Sequence, residues 1–521
     1  MSCFKLPTTL CNDIEALIRK FWWGQRGNQR KVHWAKWSSL CQPKSLGDLG
    51  FKELQKFNDA MLAKQVWRPL ENKTSLFHRF FKAKFFPNGS ILDAKEGNGS
   101  FAWKSILKGR KVIKKGVQWR VGTGSLIRIY HENWLPDLYN KSVVSPRDFL
   151  GSDAKVSVLI DNDHRCWMKE TINNIFLPHE AALILSIPLS LSSCEDWLFW
   201  PHNPDGSYSV RSGYRWLMEE ELKEEPLTSD LSTTRSIWKG VWSSRVPNRV
   251  KTMLWRAGSD TLPSKTNLLK RKIITDDLCP SCKLKSETIF HALWSYLALA
   301  PVWSSKFAWL MKLTKECSSL LEIFHCCQIH SDCFDLFAMI ASQLWIRRNK
   351  LRVGDCVAPL VKIVGLATDC LLEFQSAQSS PQPHSKPVLA SRWSPPPPGW
   401  VKINFDGATF NDRNLAGLAG VIRNDRGLVM ATFTQTIPLP TSVEMVEVLA
   451  ACNALVLAQD LNLTQVQLEG DSEITINALS SGGRDSSSYG HILKDIKLLS
   501  LAFQWLSFSH NVGKGTNLCI V

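Results

Sequence analysis

Apolar residues near the start of the chain recur at helical spacing. Ile14, Leu17, Ile18 and Phe21 mark one helix over Asn12–Trp22, and Leu54, Phe57, Met61, Leu62 and Val66 mark a second over Phe51–Trp67. Cys41–Gly50, CQPKSLGDLG, is a turn-rich break between them. Two later stretches alternate with a period of two and predict hairpins. One covers residues 116–136 and turns at Gly122-Thr-Gly124; the other covers Trp197–Tyr214 and turns at Pro204-Asp-Gly206. Residues 334–375 return to helical spacing. Ser376–Gly399 loses all periodicity, and its proline and serine content predicts a linker, with Pro395–Pro398 as a stiff polyproline spacer.

Alternation resumes at once after the linker. In Val401–Asp406, Val401, Ile403 and Phe405 face one way and Lys402, Asn404 and Asp406 the other, so Asp406 is expected to end a strand on its polar face. Two more strands are predicted around Ala419–Arg423 and Leu428–Thr434, joined by the turn Asn424–Gly427. Ser442–Asp460 reads as an amphipathic helix with Ser442 as N-cap. Gln465–Asp471 is a further alternating strand with Asp471 on its polar side.

The order of these elements predicts an α+β multidomain chain. A mixed β-sheet with flanking helices lies at the C-terminus, behind a mainly helical basic region. The expected divisions are a basic front at 1–150, a tryptophan-rich module at 195–305, a helical connector at 306–375, the linker at 376–399 and a C-terminal domain at 400–521. The length of 521 residues suits roughly three domains. No run of about 18 apolar residues occurs, so no membrane partner is expected. The first residues lack a secretory layout. The 15 cysteines are scattered and odd in number, which suits free thiols in a reducing cell interior, nucleus and cytoplasm not being separable. Cys326 and Cys327 read as core packing.

Charge is distributed unevenly. Residues 1–130 hold 25 lysines and arginines against 8 acids, a net of +17, while residues 400–521 hold 8 against 11, a net of −3. A basic, tryptophan-rich front suits a polyanion such as nucleic acid; a solvated lysine-rich surface around an aromatic core fits the same numbers.

Two groups of residues carry candidate chemistry. Asp406, Glu447 and Asp471 stand at two strand ends and on the helix between them, where three carboxylates could converge on Mg²⁺; three ordinary surface acids are the competing reading. Two such ions about 4 Å apart could activate a water and stabilise a leaving oxygen. Glu444, one turn before Glu447, is the fallback ligand. The second group is Cys279-Pro-Ser-Cys282 followed by His291, a spacing typical of zinc. A closed zinc site needs a fourth ligand, and the candidate position holds Tyr296.

WVKINFDGA at Trp400–Ala408, followed by AGLAGVIRNDRG, VEMVEVLAACNALVLA and LEGDSEITINAL, resembles the ribonuclease H-like domain of plant non-LTR (LINE-type) retroelements and proteins derived from them. The cysteine segment, with Trp242, Val246–Lys251, Trp255, Leu262-Pro263 and Trp303, resembles the zinc-binding domain that follows reverse transcriptase in those elements. The front resembles the tail after the polymerase. No YxDD-type motif occurs, so the resemblance implies no DNA synthesis.

By the same resemblance Asp406, Glu447 and Asp471 are the first three metal-binding and catalytic acids of an RNA–DNA hybrid ribonuclease, with two Mg²⁺ ions expected if it is active. Cys279, Cys282 and His291 match zinc ligands, and Tyr296 stands where the family has cysteine. The family's fourth acidic or histidine ligand falls at Val521, after Val512–Asn517, and its final helix is missing. His510 is placed in the loop before that point, as a proton shuttle or a plain surface residue. Two functions follow as expectations: Mg²⁺-dependent hydrolysis of RNA–DNA hybrid, or a catalytically inactive nucleic-acid-binding remnant.

Overall fold

The computed structural model describes all residues except 26, 28, 30, 98, 137–140, 148, 225–230, 331–332, 379–392, 481–485 and 512–521. The chain forms two compact units: Met1–Lys5, Asn58–Leu217 and Lys386–Val521 make one, and Leu6–Phe57 with Met218–Ser385 make the other. Among the described residues no helix is long and apolar enough to cross a membrane.

The second unit is helical, and its core is aromatic. Trp37, Trp238, Trp255, Trp303, Phe307, Phe324 and Phe337 pack into one cluster with Leu254 and Ile340. Trp255 is buried and donates its indole N–H to the Gly47 carbonyl at 2.8 Å, so the turn-rich break is tied into this core. In the first unit, buried tryptophans such as Trp67, Trp103, Trp134 and Trp200 also serve as packing. Large aromatic rings bury the most apolar area per residue and so dominate such cores.

In the first unit the C-terminal region forms a five-stranded mixed sheet. Its elements are β1 (Val401–Phe410), β2 (Leu415–Arg423), β3 (Val429–Pro438), α1 (Val443–Asp460), β4 (Gln465–Gly470), α2 (Glu473–Ser480), α3 (Gly490–Ser500) and β5 (Trp505–His510). The strand order is β3-β2-β1-β4-β5. β1, β2 and β3 are antiparallel neighbours, while β4 runs parallel to β1 and β5 parallel to β4. Ile403, Phe405, Val466 and Leu468 meet Val446, Ala450, Ala454 and Leu455 of α1 in the core. Ser442 caps α1 as expected, its hydroxyl accepting from Met445 N–H at 3.2 Å.

Two local expectations are corrected. Asp406 does not end its strand: β1 continues to Phe410, because its pairing with β2 runs unbroken from Lys402↔Arg423 to Phe410↔Leu415. The parallel pairing of β1 with β4 stops earlier, at Asn404↔Glu469, so Asp406 lies just past that ladder. The two hairpins are also replaced. Gln118–Arg120 pairs antiparallel with Trp197–Phe199, one arm from each. The cause is Asp196, which is buried and accepts backbone N–H groups of Gly122 and Gly124, each at 2.8 Å, and of Leu126. A Cβ on Gly122 would stand 2.3 Å from the Cys194 carbonyl, so the GTG turn wraps this carboxylate instead of closing a hairpin. The Pro204-Asp-Gly206 turn forms, but Val210–Glu224 beyond it is a helix.

The upstream segment docks on α3. Asp495 is buried and accepts from the Ser190 hydroxyl at 2.7 Å, the Leu191 N–H at 2.8 Å, and the N–H and hydroxyl of Ser192. His491 on the same helix contacts the Pro188 carbonyl at 2.9 Å. Removing a buried carboxylate that satisfies four donors strands them, at a cost of several kcal/mol. Asp495→Ala should therefore lower the stability of the full chain by about 3 kcal/mol, read as an earlier urea unfolding midpoint. A midpoint unchanged from wild type would contradict this docking.

Candidate metal sites

Asp406, Glu447 and Asp471 converge. Their ligand oxygens all lie within 4.8 Å of one another, with Glu447 buried, Asp406 partly buried and Asp471 exposed. Each acid arrives by a separate local device. Asp406 is carried by β1, Asp471 follows the last residue of β4, and Glu447 projects from the second turn of α1. Gly407 permits the close approach: a Cβ there would stand 2.7 Å from Val446 Cγ1 and 3.3 Å from the Glu447 amide nitrogen. Glu444, one turn earlier, is not part of the cluster.

The electrostatics are unfavourable to a bare cluster. Burial and the neighbouring charge of Asp471 push the Asp406 carboxyl up, and the Gly407 N–H, donating to its Oδ1 at 2.8 Å, opposes that. Burial, followed by the charges of Asp406 and Asp471, pushes Glu447 up to about 8. Glu447 Oε2 is buried with no hydrogen-bond partner among the described residues. An orphaned carboxylate oxygen facing two more acids suits a hard divalent cation. Oxygens bound to one Mg²⁺ at about 2.1 Å stand roughly 3–4 Å apart, so this spacing needs only a small inward movement.

His510 is the last residue of β5, not part of a loop, and its exposed ring stands 2.9 Å from the Asp471 carbonyl through Nε2. The parallel register that pairs Gly470 with His510 puts it there. WLSFSH alternates apolar and polar positions, a strand signal that would have located it. Val521 and Val512–Asn517, expected at the fourth ligand, lie outside the described residues.

A buried polar network backs the acids. Lys402 Nζ donates to Glu469 Oε2 at 3.1 Å and to the Ser394 carbonyl at 2.7 Å, and Asn404 Nδ2 donates to Glu469 Oε1 at 2.8 Å. Asn511 also donates to Glu469. The Trp393 indole N–H and Arg423 both donate to Asn404 Oδ1, and the cations of Lys402 and Arg423 stand over the Trp393 ring. Trp393 and Ser394 thus pack on the sheet although they fall in the stretch predicted as linker. Strict alternation marks the polar face of β1 but gives no sign that Lys402, Asn404 and Glu469 are buried there.

The cysteine group also converges. Ligand atoms of Cys279, Cys282 and His291 lie within 4.8 Å of one another, with Cys282 Sγ 3.5 Å from His291 Nε2. The turn closes through Cys279 N–H to the Lys285 carbonyl and Lys283 N–H to the Cys279 carbonyl, with Lys283 left-handed at φ 55°. Backbone N–H groups of Leu284 and Lys285 lead in holding the Cys282 thiol below its usual range, and burial, aided by the Lys285 charge, holds the His291 imidazole below its own. Both effects suit metal ligation. Glu287, at the base of this loop, is buried and paired with Arg348, whose Nε donates to Oε1 at 2.9 Å. His291–Ser295 is a single π-turn, closed by Tyr296 N–H to the His291 carbonyl. That turn sets the Tyr296 ring beside His291, at 5.5 Å between centroids. A phenol therefore stands next to three converging ligands.

Residues 404–515 match the family described as reverse transcriptase-like, and residues 208–303 match the family described as zinc-binding in reverse transcriptase. A provisionally named ribonuclease H protein of Arabidopsis thaliana is 28% identical over 518 residues, which is 95% of this chain and 81% of that protein. An uncharacterised mitochondrial protein of the same plant is 35% identical over 139 residues, 26% of this chain and 90% of its own length. Among solved structures, ribonuclease H1 of Halobacterium salinarum is 25% identical, covering 23% of this chain and 89% of its own, with a TM-score of 0.21. LC11 ribonuclease H1, solved in complex with RNA/DNA hybrid, is 20% identical, covering 21% of this chain and 83% of its own, with a TM-score of 0.19.

Two outcomes follow. Glu447 holds its proton to higher pH when folded than when unfolded, so its ionisation weakens the metal-free fold as pH rises from 4.5 towards about 8. Glu447→Gln should raise the melting temperature of the metal-free chain at pH 8 by a few degrees, with a smaller gain at pH 5; an equal or lower value at pH 8 would contradict the clustering. Tyr296→Cys should supply a fourth zinc ligand, so that the variant retains one zinc through dialysis against a chelator that strips the parent chain.

Proposed function

This chain belongs to the plant non-LTR retroelement-derived proteins that carry a reverse-transcriptase zinc-binding domain and a ribonuclease H-like domain, and from that premise we propose that it hydrolyses the RNA strand of RNA–DNA hybrids in a divalent-metal-dependent reaction. The observation that carries this reading is the meeting of Asp406, Glu447 and Asp471 around the unpartnered Oε2 of Glu447. Bound Mg²⁺ would supply activation of water and stabilisation of the leaving oxygen.

The chain's own residues do the rest. Gly407 N–H engages Asp406 Oδ1 and leaves Oδ2 for a cation. Glu447 offers Oε2 from the buried side of the cluster, and Asp471 stands on the solvent side, where a strand can approach. His510 reaches the Asp471 carbonyl and steadies the exposed end of the site. Positive charge concentrated in residues 1–130 supplies long-range attraction for a polyanion. For the cysteine module we propose a weak zinc site in which Cys279, Cys282 and His291 are the protein ligands.

The alternative is a nucleic-acid-binding remnant without turnover. It is favoured by the count of acids: among the described residues the cluster holds three. A labelled RNA–DNA hybrid incubated with the full chain and Mg²⁺ separates the two readings. Cleavage is expected, falling by roughly 100-fold or more in Asp406→Asn. Hybrid bound in a salt-sensitive way and left intact by the wild-type chain would instead select the remnant.

A further inference from the structure

Within the first unit a cavity of about 600 Å³ opens between the C-terminal domain and the segment upstream of it. One wall is the start of α1, with Ser442, Glu444 and Met445, together with Tyr489 before α3. The opposite wall brings Trp119 and Trp134, and a basic group formed by Lys141, His202 and Arg215. The lining is mostly apolar, and polar groups stand on both walls. Glu444 is the acid on this lining, against Arg120, Lys141 and Arg215. Such a surface suits an anionic ligand with a flat apolar body. A nucleotide has that form, with a base to lie on aromatic rings and a phosphate to meet the cations.

The position of the cavity narrows the choice of occupant. Glu444 lies three residues before Glu447, a rise of about 4.5 Å along α1. The cavity and the carboxylate cluster therefore share the first turns of α1. The basic wall belongs to the upstream segment, and the Asp495 bonds to residues 190–192 hold that segment on α3. Arg120 donates to the Ser487 carbonyl and so is committed to the same docking. Arg215 is exposed, with Nη2 3.1 Å from the His202 carbonyl.

We propose that this cavity is a subsite for an unpaired nucleotide of a single-stranded tail, continuous with the hybrid held at the carboxylates. The inference rests on the hybrid reading above and adds a preference: junctions between hybrid and single strand are favoured over blunt hybrid. Base stacking on Trp119 and phosphate contacts from Lys141 and Arg215 supply it.

The test uses the full chain without divalent metal, so binding is read apart from cleavage. Fluorescence anisotropy compares one RNA–DNA hybrid that is blunt with the same hybrid carrying a single-stranded DNA tail. The tail should tighten wild-type binding roughly ten-fold. The double variant Lys141→Ala/Arg215→Ala should lose that advantage, and its salt slope on the tailed hybrid should fall by roughly 0.7 per lost phosphate contact. Blunt-hybrid binding by the same variant reports whether it is folded. Equal wild-type affinity for blunt and tailed hybrid overturns the subsite alone, as does a tail preference that survives in the folded double variant. Stabilisation by free mononucleotide with no tail preference also overturns it, in favour of a small-ligand pocket. A wild-type chain that binds neither hybrid removes the subsite and the hybrid reading together.

Discussion

Three carboxylates within 4.8 Å repel one another, and much of the C-terminal domain is arranged around holding them there. Burial, and then repulsion, push Asp406 and Glu447 up from the usual carboxylate range. A fold tolerates that only if the elements bearing the acids are fixed by something stronger. Here α1 is pressed onto β1 at Gly407, and its apolar face is buried against Ile403, Phe405 and Leu468. The favourable packing lies on one side of the sheet and the electrostatic strain at its end, a division common at functional sites.

The other face of the sheet solves a different problem. Lys402, Asn404 and Glu469 are buried there, and each would be costly if unpaired. They satisfy one another across the β1–β4 ladder, with Trp393 and Asn511 completing the set. A slip of one residue would turn Lys402 and Asn404 into the apolar core, so the network also fixes the register that sets Asp406 against Asp471.

The upstream segment adds a third constraint. Asp196 gathers the glycine turn, and Asp495 gathers residues 190–192. Each is one buried carboxylate satisfied by several donors brought from distant sequence. The Asp495 bonds join the upstream segment to the C-terminal domain within one compact unit, and that segment supplies the basic wall of the cavity beside α1. In the second unit Glu287 and Arg348 make a comparable buried pair at the base of the cysteine turn.

The sequence by itself determined the elements whose residues alternate or repeat locally. β1, α1 with its Ser442 cap, and β4 follow from periodicity, and the three acids and the Cys279/Cys282/His291 group from spacing read with family resemblance. Only the tertiary structure decided what depends on partners far along the chain. The hairpins at 116–136 and 197–214 gave way because Asp196 offers backbone N–H groups an acceptor that local pairing does not. Glu447, already preferred to Glu444 by the resemblance, reaches the other two acids because Gly407 admits the helix at that turn. His510 reaches Asp471 because β5 pairs parallel to β4, and Tyr296 lies beside His291 because of a π-turn. Periodicity reports which face of an element is apolar; it carries no information about which distant group will satisfy a buried charge.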